Sequence, residues 1–420
     1  MKPTRVIFFL WLAWVLILLG FQAWVSARLE LNNPDHARGW TSSFTGPGSQ
    51  QGHIYLLEPF LNSQVAWDSE YYLAIAIGGY DDPGAPQLAI KNNTGDLSSS
   101  FGTSLSLSYA FFPFYPLMIR VFAFPLQVLG LNPIATATLA GVIVSALGSL
   151  LGMLALYDIT RDLLGVDGAL RAVFYLIIFP TGFFLLQVYS EGLFVGLAFA
   201  CLAMMKRKHW LAAALLAAAA TMTRAVGVAL VIPMLIAWFR TEVRFLEWPH
   251  FIQDRTQLRI LSHAFLAVTP LIVFAIWKLS YLGQAFDYVQ ANNYERGLLS
   301  LGKSIDSWSQ AFRTMIALSE PQSSAYYFTE FLGLAIAVST CLLCLRLDLE
   351  LGLFSLAVVL ISWGSGDIQS FHRYILAAPA IFLVLSYWGR DPVFDRAWTI
   401  LSLILMASLT TLFSFNMWVA

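Results

Sequence analysis

Apolar runs near bilayer-crossing length follow one another along most of the chain, separated by short polar breaks. They lie at about residues 6–26, 109–130, 134–158, 172–188, 190–205, 208–223, 225–240, 260–282, 326–345, 349–365, 371–388 and 397–418. An uninterrupted run of roughly 20 apolar residues predicts a membrane-spanning helix. The shorter runs, broken at Pro180, Arg224 and Pro379, predict closely packed helices rather than independent anchors. Residues 27 to about 105 depart from this pattern, with Asp68, Glu70, Asp81, Asp82 and Asp96 among many Gly, Pro, Asn and Ser. Some 80 residues is too long for a simple connector, so this segment is expected to carry function.

Composition agrees with a polytopic, all-α membrane protein. Only 12% of the residues are charged and 58% are hydrophobic, whereas soluble domains carry roughly 25% charged residues. The net charge of −1 points to no particular partner, and no nucleic-acid partner is expected. Cys201, Cys341 and Cys344 all lie in apolar segments, so neither disulfides nor a cysteine metal site is expected. The run from Val6 to Trp24 is span-length, longer than a signal-peptide core. It reads as an uncleaved first helix, with Lys2 and Arg5 inside.

Charge sets the expected orientation. Arg161 and Arg171, the Lys206–His209 cluster, Arg240, Arg244, Arg255, Arg259, Arg346, Arg390 and Arg396 join Lys2 and Arg5 to place 14 of the 24 basic residues on one side. That holds only if residues 109–130 do not cross the membrane. Pro113, Pro116 and Pro125 interrupt helix hydrogen bonding there, and an Arg120 at mid-bilayer is costly. The segment is therefore read as an interfacial or re-entrant element. About eleven spans remain, the N-terminus inside and the C-terminus outside, as one transmembrane domain. Its first extracytoplasmic loop covers 27–133 and a second sizeable one covers 283–325.

This topology gathers the polar outliers on the outer face: Asp68, Glu70, Glu191, Arg224, Asp367, His372 and Arg373. Each has a plainer reading. Asp68 and Glu191 sit where they could cap helices; Arg224 and Arg373 could be snorkelling anchors. As a set from separate regions on one face, they fit group transfer from a lipid-phosphate donor. A carboxylate such as Asp68 acts as general base on an acceptor hydroxyl, and Arg224, His372 and Arg373 hold the leaving phosphate. Trp67, Tyr71, Tyr72 and Tyr115 are candidates for a sugar site or for the interfacial aromatic belt. Glu70 and Tyr189 are further candidates for substrate contact. Lys278 is read as snorkelling. The chain has no Gly-rich nucleotide loop, HExxH or GxSxG. Asp81 and Asp82 read as turn-formers in "YDDPGAP". No cofactor is expected, a divalent metal being the less favoured alternative.

In order, the chain carries "WDSEYYLAIAIGGY", "FFPFYPLMIR", "FPTGFFLLQVYSEGLFVGLAFA", "TMTRAVGVALVIP" and "HRYILAAPAIFLVL". Over most of residues 5–390 this series resembles the PIG-V-like mannosyltransferases of the GT-C superfamily. The resemblance implies a GT-C-type fold with interfacial helices in the first outer loop. It also implies a polyprenyl-phosphate sugar donor, usually mannose, inversion at the anomeric carbon, and a catalytic acid at Asp68 with a second at Glu191. The acceptor stays open between a lipid, another glycan and a protein, a lipid or glycan being the expected partner alongside membrane lipids. Short loops make the chain look like a bacterial relative, in the plasma membrane; a eukaryotic source would place it in the endoplasmic reticulum. The Asn92-Asn93-Thr94 sequon is too common to decide the source. The alternatives are a lipid or lipid-linked sugar transporter, or a non-catalytic subunit of an envelope-glycan assembly complex. The first predicts internal repeats and mid-membrane breaks; the second predicts tolerance to loss of Asp68, Glu191 and Arg373 together.

Overall fold

The computed structural model of the protein describes residues 2–31, 34–46, 48–90, 103–243, 254–297 and 299–420, with side chains of 254–256 excepted. Asp96, the Asn92–Thr94 sequon and Arg244 lie outside the described residues, as does the side chain of Arg255. The chain folds into helices α1 (Pro3–Arg28), α2 (Ser42–Thr45), α3 (Ser69–Ile77), α4 (Phe114–Leu126), α5 (Pro133–Ile178), α6 (Glu191–Lys206), α7 (Trp210–Thr223) and α8 (Val231–Trp238). These are followed by α9 (Asp254–Leu279), α10 (Tyr281–Asn292), α11 (Leu301–Ala317), α12 (Pro321–Leu347), α13 (Leu349–Trp363), α14 (Phe371–Tyr374), α15 (Pro379–Trp388) and α16 (Pro392–Ser414). A small antiparallel ladder, β1 (Gln87–Ala89) with β2 (Ser104–Ser106), is the one departure from an all-helical chain among the described residues.

Every apolar run read from the sequence falls largely on helix. Six helical segments are long and apolar enough to cross a bilayer: α1, α5, α9, α12, α16 and the stretch 225–242 that contains α8. The pair 371–377 and 379–388, bent by 85°, makes a seventh if taken as one broken span. The chain is thus an integral membrane protein built of helices. The expected eleven crossings exceed these because α6, α7 and α13, at 16, 14 and 15 residues, fall short of the roughly 20 that cross independently.

The runs expected at 134–158 and from 172 fall on two helical halves of α5, separated by a kink at Gly165, whose φ of 74° is non-helical. A side chain would be strained in that conformation. The first half of α5 runs alongside α6 with the backbones touching. A Cβ on Gly148 would stand 2.6 Å from the backbone of Gly192, and one on Gly196 would stand 2.3 Å from the carbonyl of Gly148. Such glycine contacts are how helices approach closely in lipid. Outward faces stay apolar, as with Phe9, Leu16 and Ile17 on α1 and Leu403 and Ile404 on α16.

Ion pairs collect at one end of the bundle. Lys206 pairs with Asp348, Arg207 with Asp158, and Arg240 with Glu350. Glu191 opens α6 and Lys206 closes it, so the two stand about 24 Å apart at ~1.5 Å per residue. Lys206, Arg207 and Arg240, three of the basic residues expected on one side, therefore lie at the end of α6 away from Glu191. Helix α4 packs beside the start of α5: the Tyr115 hydroxyl meets the Ser145 Oγ at 2.9 Å and the Gly141 carbonyl at 3.2 Å. It is 13 residues long, too short to cross. Residues 283–325 hold most of α10 and all of α11.

Candidate active site

Four short-helix ends meet where the chain turns at the end opposite Lys206. Asp68 occupies the N-cap position of α3, but its side chain makes no capping bond. Its Oδ2 lies 2.9 Å from Nη1 of Arg373. Glu191 opens α6, and its side chain turns to cations instead of the helix: Oε1 is 3.2 Å from Nε of Arg373 and also pairs with Nη1 of Arg224. Arg224 reaches Ser190 Oγ at 3.3 Å, and the Tyr72 hydroxyl donates to the same oxygen at 2.9 Å. The result is a chain Asp68–Arg373–Glu191–Arg224, drawn from four separate regions. Arg373 and Glu191 are each 3% exposed, so neither acts as a snorkelling anchor or solvated cap. The Asp68 side chain remains 24% exposed.

Backbone conformation aims the first two members of this chain. Trp67, just before Asp68, has φ of 48°, and Ser370, three residues before Arg373, has φ of 67°. Left-handed conformations cost energy in non-glycine residues and persist where surroundings over-determine them. Tyr189 braces the first turn: its hydroxyl donates to the Ala66 carbonyl at 2.9 Å and accepts from the Asp68 amide at 3.3 Å. The Arg373 guanidinium lies 5.0 Å from the Tyr189 ring centroid, a favourable cation–π placement. Arg120 holds the far end of α3. Its Nε and Nη2 donate to the carbonyls of Ala76 and Ile75 at 2.8 and 3.0 Å, so this arginine caps the helix that carries Asp68.

Charge pairing is not matched by hydrogen bonding. Nε and Nη1 of Arg373 and Oε2 of Glu191 are buried without hydrogen-bond partners, although ion-pair distances are met. Such donors can serve an anion that arrives from outside the chain.

The remaining candidates fall elsewhere. His372 is not part of the cluster: its Nδ1 is 2.8 Å from Glu330 Oε2, and its amide donates to the same oxygen at 2.8 Å. Glu330, fully buried on α12 and also bonded by the Tyr326 hydroxyl at 2.7 Å, was missed from the sequence. A lone acid inside the apolar run 326–345 was the available signal. Glu70 faces away onto His53, both oxygens 2.9 Å from its Nδ1. Burial raises the Glu70 pKa, and His53 opposes that rise. Tyr115 is wholly buried beneath Tyr72, ring centroids 5.0 Å apart, so it is core rather than lining. Trp67 packs edge-on against Trp40 and Trp418, centroids 5.7 and 5.0 Å away. Tyr71 stacks on Phe111 at 4.9 Å. Lys278 pairs with Asp287. Asp82 closes its own turn, Oδ1 accepting from the Gly84 amide at 2.7 Å. No group of three or more His, Cys, Asp or Glu stands ready for a metal ion among the described residues.

Asp367 joins the first loop to the segment before Arg373. Its oxygens accept from both Nη atoms of Arg38 at 3.0 Å, and Ser307 donates to it at 3.0 Å. Burial alone would raise its pKa; Arg38, with smaller contributions from Arg296 and Ser307, outweighs that and holds it below the usual carboxylate value.

Arg296 is a cation that the sequence did not single out. It lies between α10 and α11, where its Nη1 donates to the Tyr374 hydroxyl at 2.7 Å and its Nη2 to the Gln369 carbonyl at 2.8 Å. The guanidiniums of Arg224, Arg373 and Arg296 lie 4.7, 5.1 and 5.5 Å from the Tyr374 ring centroid.

No family model matches the sequence, and no curated protein matches it. Among solved structures, the chain is similar to ArnT from Cupriavidus metallidurans bound to undecaprenyl phosphate. Identity is 14% and the TM-score 0.44, over 90% of this chain and 76% of that one. It is also similar to the archaeal oligosaccharyltransferase AglB from Archaeoglobus fulgidus in complex with an inhibitory peptide and a dolichol-phosphate. Here identity is 13% and the TM-score 0.44, over 95% of this chain and 56% of that one. The chain thus spans little more than half the length of the oligosaccharyltransferase. These likenesses assign no residue a role.

Proposed function

We propose that the protein is an integral membrane glycosyltransferase that moves a sugar, mannose in our reading, from a polyprenyl-phosphate donor to a hydroxyl on a lipid or glycan acceptor. The reading is supported by one observation above all. A partly exposed carboxylate, Asp68, stands in ion-pair contact with the buried Arg373, which Glu191 bridges to the half-buried Arg224. The ordered motifs around Asp68, Glu191, Arg224 and Arg373, with their likeness to PIG-V-like mannosyltransferases, support the same reading.

In the proposed reaction the acceptor oxygen attacks the anomeric carbon, with inversion. Asp68 takes the hydroxyl proton. The bond from the anomeric carbon to the phosphate oxygen breaks, and polyprenyl phosphate leaves with the electron pair, its charge met by Arg373 and Arg224. Glu191 orients both arginines, Tyr189 holds the turn that carries Asp68, and Tyr72 bonds Ser190 beside Glu191. His372 supports Arg373 from its place on Glu330. The lipid tail lies along the apolar outer faces of the helices, with the site on the extracytoplasmic side of a bacterial plasma membrane. No metal takes part in this scheme. The test is to incubate purified protein with labelled polyprenyl-phosphate mannose and a membrane-lipid extract. A labelled glycolipid or glycan is expected; movement of intact donor across liposomes without product would overturn the reading in favour of transport.

A further inference from the structure

Three guanidiniums meet around the Tyr374 ring, but only two of them have carboxylates. Arg373 pairs with Asp68 and Glu191, and Arg224 with Glu191. Arg296 forms no ion pair among the described residues. Its contacts are the Tyr374 hydroxyl and the Gln369 carbonyl, and its Nε is buried with no hydrogen-bond partner. Nearby Asp367 is already held by Arg38 through both oxygens. The cluster of Arg224, Arg296 and Arg373 against Asp68 and Glu191 therefore keeps one positive charge in excess. An uncompensated cation in a shielded site is costly and is retained where a ligand supplies the missing charge.

Arg296 is held in place by its backbone. Glu295 before it has φ of 54°. The Gly297 amide donates to the Ser365 carbonyl at 2.9 Å, and a Cβ at Gly366 (φ +117°) would stand 2.9 Å from the Glu295 carbonyl. The loop is thus seated on the segment that leads into Arg373, with both guanidiniums on one tyrosine hydroxyl, Arg373 Nη2 at 3.3 Å.

We propose that Arg296 is a binding residue for the donor phosphate, its buried, unpartnered Nε offered to the anion beside the Arg373 guanidinium on the same Tyr374 hydroxyl, and that the excess positive charge suits a phosphate anion. This rests on the glycosyltransferase reading. The shared chemistry is a phosphate group, which a lipid headgroup or free phosphate could supply, and the arms of the test separate the two.

The test measures binding of undecaprenyl phosphate, undecaprenol and inorganic phosphate to the full-length protein in nanodiscs. Arg296→Gln and Arg296→Lys are compared with wild type, and thermal unfolding of each variant reports folding. Wild type is expected to prefer undecaprenyl phosphate over undecaprenol. Arg296→Gln should bind the lipid phosphate roughly ten- to hundredfold more weakly, the value of one charge-assisted hydrogen bond, while undecaprenol binding stays level and Arg296→Lys recovers part of the loss. Unchanged lipid-phosphate binding by a folded Arg296→Gln overturns the proposal and leaves the glycosyltransferase reading standing. No phosphate preference in wild type overturns both. Inorganic phosphate binding as tightly as the lipid, with the same loss in Arg296→Gln, overturns the assignment to a lipid-linked donor.

Discussion

Replacing Glu191 by Gln tests the buried network that holds the site together. The change conserves volume, so no cavity forms. It removes the carboxylate that, among the described residues, touches both Arg373 and Arg224. Arg373, itself 3% exposed, keeps Asp68 alone, and Arg224 keeps no anion among the described residues. Breaking a buried ion pair by removing one partner costs about 3–5 kcal/mol, because the surviving charge stays in a poorly solvated place. Removing the second charge too, in Glu191→Gln with Arg224→Gln, leaves a balanced Asp68–Arg373 pair. The double variant is therefore expected to lose ~1–3 kcal/mol less than the sum of the single losses. Equilibrium unfolding in mixed detergent micelles, followed by intrinsic tryptophan fluorescence, reads all four proteins. A Glu191→Gln loss under about 1 kcal/mol, or additivity within ~0.5 kcal/mol, would refute the network.

Two further outcomes follow from the supports around it. Arg120→Gln removes two hydrogen bonds to the last carbonyls of α3. Amide exchange across 69–77 is expected to quicken roughly two- to tenfold, equivalent to about 0.5–1.5 kcal/mol, and unchanged protection there would rule out the capping role. Asp367 has a folded-state pKa depressed by Arg38, net of an opposing burial effect. Its ionised form therefore stabilises the fold above the unfolded carboxylate value of about 3.9, and that contribution disappears as pH falls through the lower folded value. Wild-type stability should decline more steeply than that of Asp367→Asn below about pH 4; parallel pH curves would contradict the pairing.

Much of this site was legible because lipid makes polarity conspicuous. Asp68, Glu191, Arg224 and Arg373 stood out as charges beside apolar runs, and the structure joins all four. The prolines and Arg120 marked the run at 109–130 as unlike the others, and Arg120 proves to bond the carbonyls of Ala76 and Ile75. The stretch "NNYERG" in the 283–325 loop could be read as shaping an acceptor site, but not Arg296 as a member of the cationic cluster, since its position depends on the fit of Glu295 over Gly366. His372 was misleading because it adjoins Arg373, yet neighbouring residues on a helical turn do not face the same way. It turns to Glu330 on α12. The helix break at Gly165 was marked in the apolar pattern by the polar gap between the runs 134–158 and 172–188; the positive φ that makes it was not.

The central claim is that Asp68 takes the proton from an acceptor hydroxyl during sugar transfer from a polyprenyl-phosphate donor. Its most direct measurement is the transfer rate of Asp68→Asn with labelled polyprenyl-phosphate mannose and membrane-lipid acceptors. Donor binding and unfolding are followed in parallel. The account predicts a folded protein that still binds donor and whose transfer falls by about 10²–10⁴-fold, the usual contribution of a general base. Transfer at the wild-type rate by Asp68→Asn would contradict it.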